Sequence, residues 1–215
     1  ADAVNPRVYT DMKGSKEQKG NVNGHIVRMA DASPAGTDFK WDIYVFGAEA
    51  GSDKSRVNLS SLTDDNDMSS PDGLVFSPAS GICWIQTDDG AYTDQTNCMM
   101  LAAIPGRLGD GGARTVQHGD RQVTTHVGKT PTPATLARFL VGPKGAEITG
   151  WCETPDGRAI FVNIQHPGEN TAMADVNNPA KYESQWPANA GYGAGQRPRS
   201  ATIVITKNDG GVIGT

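Results

Sequence analysis

Short apolar runs recur along this chain, and each is stopped within a few positions by glycine, proline or aspartate. The first pair, GHIVRM at 24–29 and FKWDIYVFG at 39–47, alternates or runs apolar with β-branched and aromatic residues, as strands do. A turn-rich loop with Pro34 and Gly36 separates them. DGLVFSP (72–78), GICWIQTD (81–88) and CMMLAAIP (98–105) follow, with breakers between them. The stretch 106–132 reads as a polar excursion. TLARFLVGP (135–143) predicts a strand or a single helical turn, and EITGWCETP, RAIFVNIQH and SATIVITK complete the set. No segment carries a long apolar stripe at helical period, so the predicted fold class is all-β.

Two of these segments resemble each other. Asp72 stands ahead of an apolar strand, a Ser-Pro turn and a second strand that ends at Asp88 and Asp89. Glu147 likewise stands ahead of a strand, a Thr-Pro-Asp-Gly turn and a strand ending at Gln165 and His166. The two acids are 75 positions apart, and four strand candidates lie between the two openings. That is the content of one β-propeller blade with insertions, although any two hairpins share a turn. In a propeller, acids at the channel end of inner strands converge from several blades. Converging carboxylates repel one another unless a cation sits among them, and oxygen ligands of that kind suit calcium.

Composition narrows the partners. A net charge of −5 argues against nucleic acid or an anionic membrane as the main partner. No apolar run approaches the ~20 residues needed to span a bilayer. The 26 glycines and 13 prolines are spread along the 215 residues, which suits many turns between short strands. The N-terminal ADAVNPRVYT has neither a basic region nor an apolar core, so the chain reads as a mature product or a cut fragment without a signal peptide. Cys83, Cys98 and Cys152 lie in apolar stretches without zinc-ligand spacing and are expected to be buried free thiols. Nucleophile-elbow, His-Glu-x-x-His, Walker and Gly-x-Gly-x-x-Gly patterns are all missing, which leaves serine-hydrolase and nucleotide-binding mechanisms unsupported.

Each candidate has an ordinary alternative. Asp72 before Gly73 also fits a turn that bonds its own backbone. Glu147 could pair with a lysine or arginine, and one of Asp88 and Asp89 belongs to a turn before Gly90. His166 before proline could donate to a backbone carbonyl. The acids of 63–73 alternate as in an EF-hand, but no glutamate stands at the twelfth position, so a solvated loop is expected there.

The stretches NGHIVRM, FKWDIYVFG, SPDGLVFSPASGICWIQTD, NCMMLAAIPG, RFLVGPKGAEITG, AIFVNIQHPGE and RPRSATIVITKNDGGVIGT occur in this order. Together they resemble the C-terminal part of PhoX-type alkaline phosphatases over residues 5–215. The resemblance implies one β-propeller domain over 1–215, with about two full blades and part of a third. It also implies export to the periplasm or beyond and hydrolysis of phosphomonoesters by a cluster of calcium and ferric iron. On it, Asp72, Glu147 and Asp88 are expected to reach the metals. His166 and Arg199 are candidate second-shell or substrate residues, and a surface salt bridge explains Arg199 equally well. The resemblance implies a whole enzyme about three times the length of this chain, with the iron-binding cysteine and the phosphate-contacting arginine in its N-terminal half, so this chain would hold only part of the site. Exposed blade edges are expected to favour self-association. Two other readings stay open: another calcium-dependent propeller hydrolase such as a lactonase, and a non-catalytic binding propeller.

Overall fold

A computed structural model describes residues 7–188 and 195–215. These form thirteen strands and two short 3-10 turns, with no α-helix among the described residues. The strands are β1 (Tyr9–Lys13), β2 (Lys16–Gly20), β3 (His25–Asp31), β4 (Phe39–Phe46), β5 (Pro71–Phe76), β6 (Cys83–Thr87) and β7 (Met99–Ala103). They continue with β8 (Ala113–His118), β9 (Arg121–His126), β10 (Leu136–Val141), β11 (Glu147–Glu153), β12 (Ala159–Gln165) and β13 (Ala201–Thr206). The all-β expectation holds, and 135–143 resolves as a strand. No helix among the described residues is long and apolar enough to cross a membrane.

The chain divides into two compact units. The first comprises the residues up to Pro71, Gly90–Asp94 and Ala103–Ala137, and it is built from the hairpins β1–β2, β3–β4 and β8–β9. Ile43, Phe46, Leu59, Val116 and Val127 form its core. Two of these hairpins fall where no strand is expected from the apolar pattern. Both join their strands through two residues, Gly14–Ser15 between Lys13 and Lys16 and Gly119–Asp120 between His118 and Arg121. The glycines take φ of 57° and 56°, which that kind of turn requires. The polar excursion at 106–132 therefore contains paired strands. The loop expected to be solvated at 63–73 is only half so: Asp64 and Asp65 are exposed, but Asn66 and Asp67 are buried. Asp67 accepts the Ala50 N–H at 3.1 Å and the Tyr92 hydroxyl. Its carboxylate is occupied by protein donors.

The second unit comprises Asp72–Asp89, Gln95–Ala102 and Arg138–Thr215. It contains most of a four-stranded sheet in the order β10-β7-β6-β5 and all of a three-stranded sheet in the order β11-β12-β13. The first sheet is made of the four strand candidates expected between the openings at Asp72 and Glu147, and β8–β9 lies outside it. Ile82, Trp84, Cys98 and Met100 from one sheet region and Ile148, Ile160, Val162 and Ile164 from the other share one core. Phe139 meets the edge of the Trp84 ring with centroids 4.7 Å apart. All three cysteines are free. Cys83 and Cys98 are buried as expected, but Cys152 is exposed, because it pairs with Phe161 on the outward face of the three-stranded sheet.

Candidate functional site

The two hairpins that look alike in sequence are neighbours in the second unit. In the first, Ser77 N–H donates to the Ile82 carbonyl at 2.8 Å and closes the turn between β5 and β6. Asp72 and Asp88 therefore lie at the same open end. In the second, Thr154 N–H donates to the Ala159 carbonyl at 2.9 Å, and Glu147 pairs with Gln165 at the open end of β11–β12. At the closed ends, Glu153 accepts the Ser77 hydroxyl at 3.0 and 2.8 Å and the Ala79 N–H at 3.1 Å. Midway, Gln86 donates from Nε2 to the Gly150 carbonyl at 2.9 Å. These ties align the hairpins side by side.

Asp72 is the second residue of β5 and is exposed, so the turn alternative for it gives way to a place in a strand. Asp88 follows β6 directly and is exposed too. Glu147 is 8% exposed. Gln165 donates from Nε2 to its Oε2 at 2.6 Å, and His166 Nε2 lies 3.5 Å from the same oxygen. Among the described residues, the ion-pair partner of Glu147 is His166 and no lysine or arginine. Burial raises the pKa of Glu147 above the ordinary carboxylate range, and the charges of Asp88 and Asp72 push it the same way. Proximity of the imidazole opposes the shift. Three carboxylates thus act on one location.

His166 bridges towards a second acid, with Nδ1 3.2 Å from Glu169 Oε2. Its backbone stands at φ 36° and its N–H donates to Ser200 Oγ at 2.9 Å. A left-handed conformation at a non-glycine residue is uncommon, and the Ser200 bond helps to hold it. Arg199 is exposed at the entry to β13, where its N–H donates to the Trp186 carbonyl at 3.1 Å. The Asp89 backbone N–H donates to Cys98 Sγ at 3.1 Å. Sequence reasoning missed Gln86 and Gln165, both neutral amides that hold the site. Gln165 was within reach as the residue before His166, since an acid opening one strand of a hairpin faces the residue closing the other.

Three hard oxygen donors with a net negative field suit calcium in type and charge. Among the described residues, however, no group of three or more His, Cys, Asp or Glu side chains is close enough to hold an ion by itself. The donors present therefore fit as part of a larger set. For ferric iron the fit stops short, since Cys83 and Cys98 are buried in the core, where burial raises both thiols' pKa, and Cys152 pairs with Phe161 away from Glu147. On the outward face, Thr149, Asn163, Gln165, Ser200 and Thr202 line a shallow groove of about 530 Å³ beside Glu147.

Residues 3–168 match the family described as alkaline phosphatase PhoX. A solved structure of Pseudomonas fluorescens PhoX in complex with vanadate, a transition state analogue, is similar over 90% of this chain, at 30% identity and a TM-score of 0.64. This chain spans 28% of that protein's length. Among curated proteins, none matches. On the family match, which covers most of the sequence, and on the shared fold, this chain belongs to the PhoX family of alkaline phosphatases.

Proposed function

We propose that this chain is the C-terminal portion of a metal-dependent phosphomonoesterase and supplies part of its site. The observation that carries this reading is the family match over residues 3–168, with Asp72, Asp88 and Glu147 at the open ends of two hairpins of one unit. The four-stranded sheet is one propeller blade in this reading, and the three-stranded sheet is the larger part of the next. Asp72, Asp88 and Glu147 hold calcium, with further ligands and the ferric ion supplied by the rest of the protein. Bound there, the metals neutralise phosphate oxygens and stabilise charge that develops in the transition state.

The chain's own residues keep that location negative and hold Glu147 in place. Gln165 occupies one Glu147 oxygen, and the other would be available to hold the cation. His166, held between Glu147 and Glu169, restrains the carboxylate from its outer side. Arg199, which precedes groove-lining Ser200 in the chain, would steer an anionic ester. The protein works in the periplasm or outside the cell, and the open edges of the blades carry self-association of the isolated portion.

A full-length PhoX-family protein carrying this chain tests the reading with two substrates. Hydrolysis of p-nitrophenyl phosphate that stops on chelation and returns with calcium supports it. Hydrolysis of a γ-lactone without phosphatase activity would instead establish the lactonase alternative, which the family match does not favour.

A further inference from the structure

The register of β11 changes partway along its length. Thr149 pairs with Asn163, but the next pair is Trp151 with Val162, so Gly150 is an extra residue. A bulge of this kind bends the strand and re-aims the side chains beyond it. Here it decides where Glu147 points. If the pairing of Trp151 and Cys152 ran on without the extra residue, every side chain before it would change face. Glu147 would then fall on the face of Ile164, in the core, and Ile148 would face outward. With the bulge, Glu147 lies opposite Gln165, while Ile148 is 1% exposed within the core.

The bulge is held from the neighbouring sheet. Gln86 on β6 is 4% exposed, and its Nε2 donates to the Gly150 carbonyl at 2.9 Å. Room for that side chain comes from Gly73, where a Cβ would stand 2.7 Å from Gln86 Oε1. Gly150 itself adopts φ 59°, and a Cβ there would stand 2.5 Å from Asn163 Nδ2. Both glycines therefore serve one arrangement: Gln86 passes over Gly73 to grip the carbonyl of a left-handed residue. A buried amide of this kind would more simply be replaced by an apolar side chain if packing were its only task.

We propose that Gln86 is a positioning residue for the metal site, which fixes the Gly150 bulge and so aims the Glu147 carboxylate out of the core. The inference rests on the reading of Glu147 as a calcium ligand. It is tested by calcium titration of a full-length PhoX-family protein carrying this chain, with thermal melting in chelator recorded for every variant. Gln86→Leu and Gly150→Ala are each expected to weaken calcium binding by about 10-fold, the size typical of an outer-shell partner. Ile160→Val, which trims the same core away from the bulge, is expected to lower the melting temperature and leave calcium affinity unchanged. If Glu147→Gln weakens binding while both Gln86→Leu and Gly150→Ala bind as the parent does, the positioning role is wrong and the ligand reading survives. If Glu147→Gln itself binds calcium unchanged, the ligand reading fails and the inference falls with it. If Ile160→Val weakens binding as much as Gln86→Leu, the effect is one of general stability and the positioning role is overturned.

Discussion

Glu147 titrates under opposing influences, and their balance makes a stability prediction. Burial and the charges of Asp88 and Asp72 raise its pKa above the ordinary value, with His166 opposing them. In the unfolded chain the same carboxyl releases its proton at lower pH. Between the two values the folded state holds more protons, so this group makes stability fall as pH rises through that window. Glu147→Gln keeps the volume and removes the charge. In chelator at neutral pH it is predicted to raise the melting temperature, as removal of a charge that burial disfavours must. The gain should disappear below the ordinary carboxylate range, where the parent side chain is neutral in both states. A lower melting temperature at neutral pH would mean that local donors satisfy the charge. The acid itself was legible in the sequence, because an acid directly ahead of an apolar strand has few ordinary explanations. The amides around it were not, since Gln86 and Gln165 differ in no periodic way from other polar residues in strands.

The hairpin is the element that carries the site, and its two ends do different work. The open ends gather Asp72, Asp88 and Glu147, while the closed ends are fastened by Glu153 to Ser77 and Ala79. Hydrogen bonds to a charged acceptor are stronger than neutral ones, and Glu153 receives three contacts from two donors of one turn. Glu153→Ala is predicted to lower unfolding stability by about 1–3 kcal/mol in urea titration. A change below the precision of that titration would show that the core between the sheets aligns the hairpins unaided. The pairing of the two hairpins could be read from their shared order of acid, strand, turn and strand. The bulge could not, because an inserted residue leaves no mark on an apolar pattern this short. β1–β2 and β8–β9 escaped for another reason. Their strands are largely polar on both faces, and only the Gly-Ser and Gly-Asp turns betray them.

At the scale of the molecule, apolar surface remains uncovered in the second unit. Leu74 and Phe76 on the edge strand β5 are 48% and 56% exposed, and Val204 on β13 is 57% exposed. Open strand edges with apolar side chains invite pairing with another chain. Sedimentation velocity is expected to show concentration-dependent dimers for the isolated chain and none through these strands in the full-length protein. A chain that stays monomeric at high micromolar concentration would contradict the edge argument. The all-β class followed from composition and run length, whereas the division into two units did not, because segments far apart in sequence return to each.

The claim on which the account depends is that Glu147 is a metal ligand in a phosphatase site. The most direct measurement is p-nitrophenyl phosphate hydrolysis against calcium concentration, in a full-length PhoX-family protein carrying this chain and in its Glu147→Ala variant. The account predicts a loss in kcat of about 100-fold or more, beyond the range of an outer-shell change, with a higher calcium requirement for whatever activity remains. A Glu147→Ala protein with the parent's kcat and the parent's calcium dependence would contradict it.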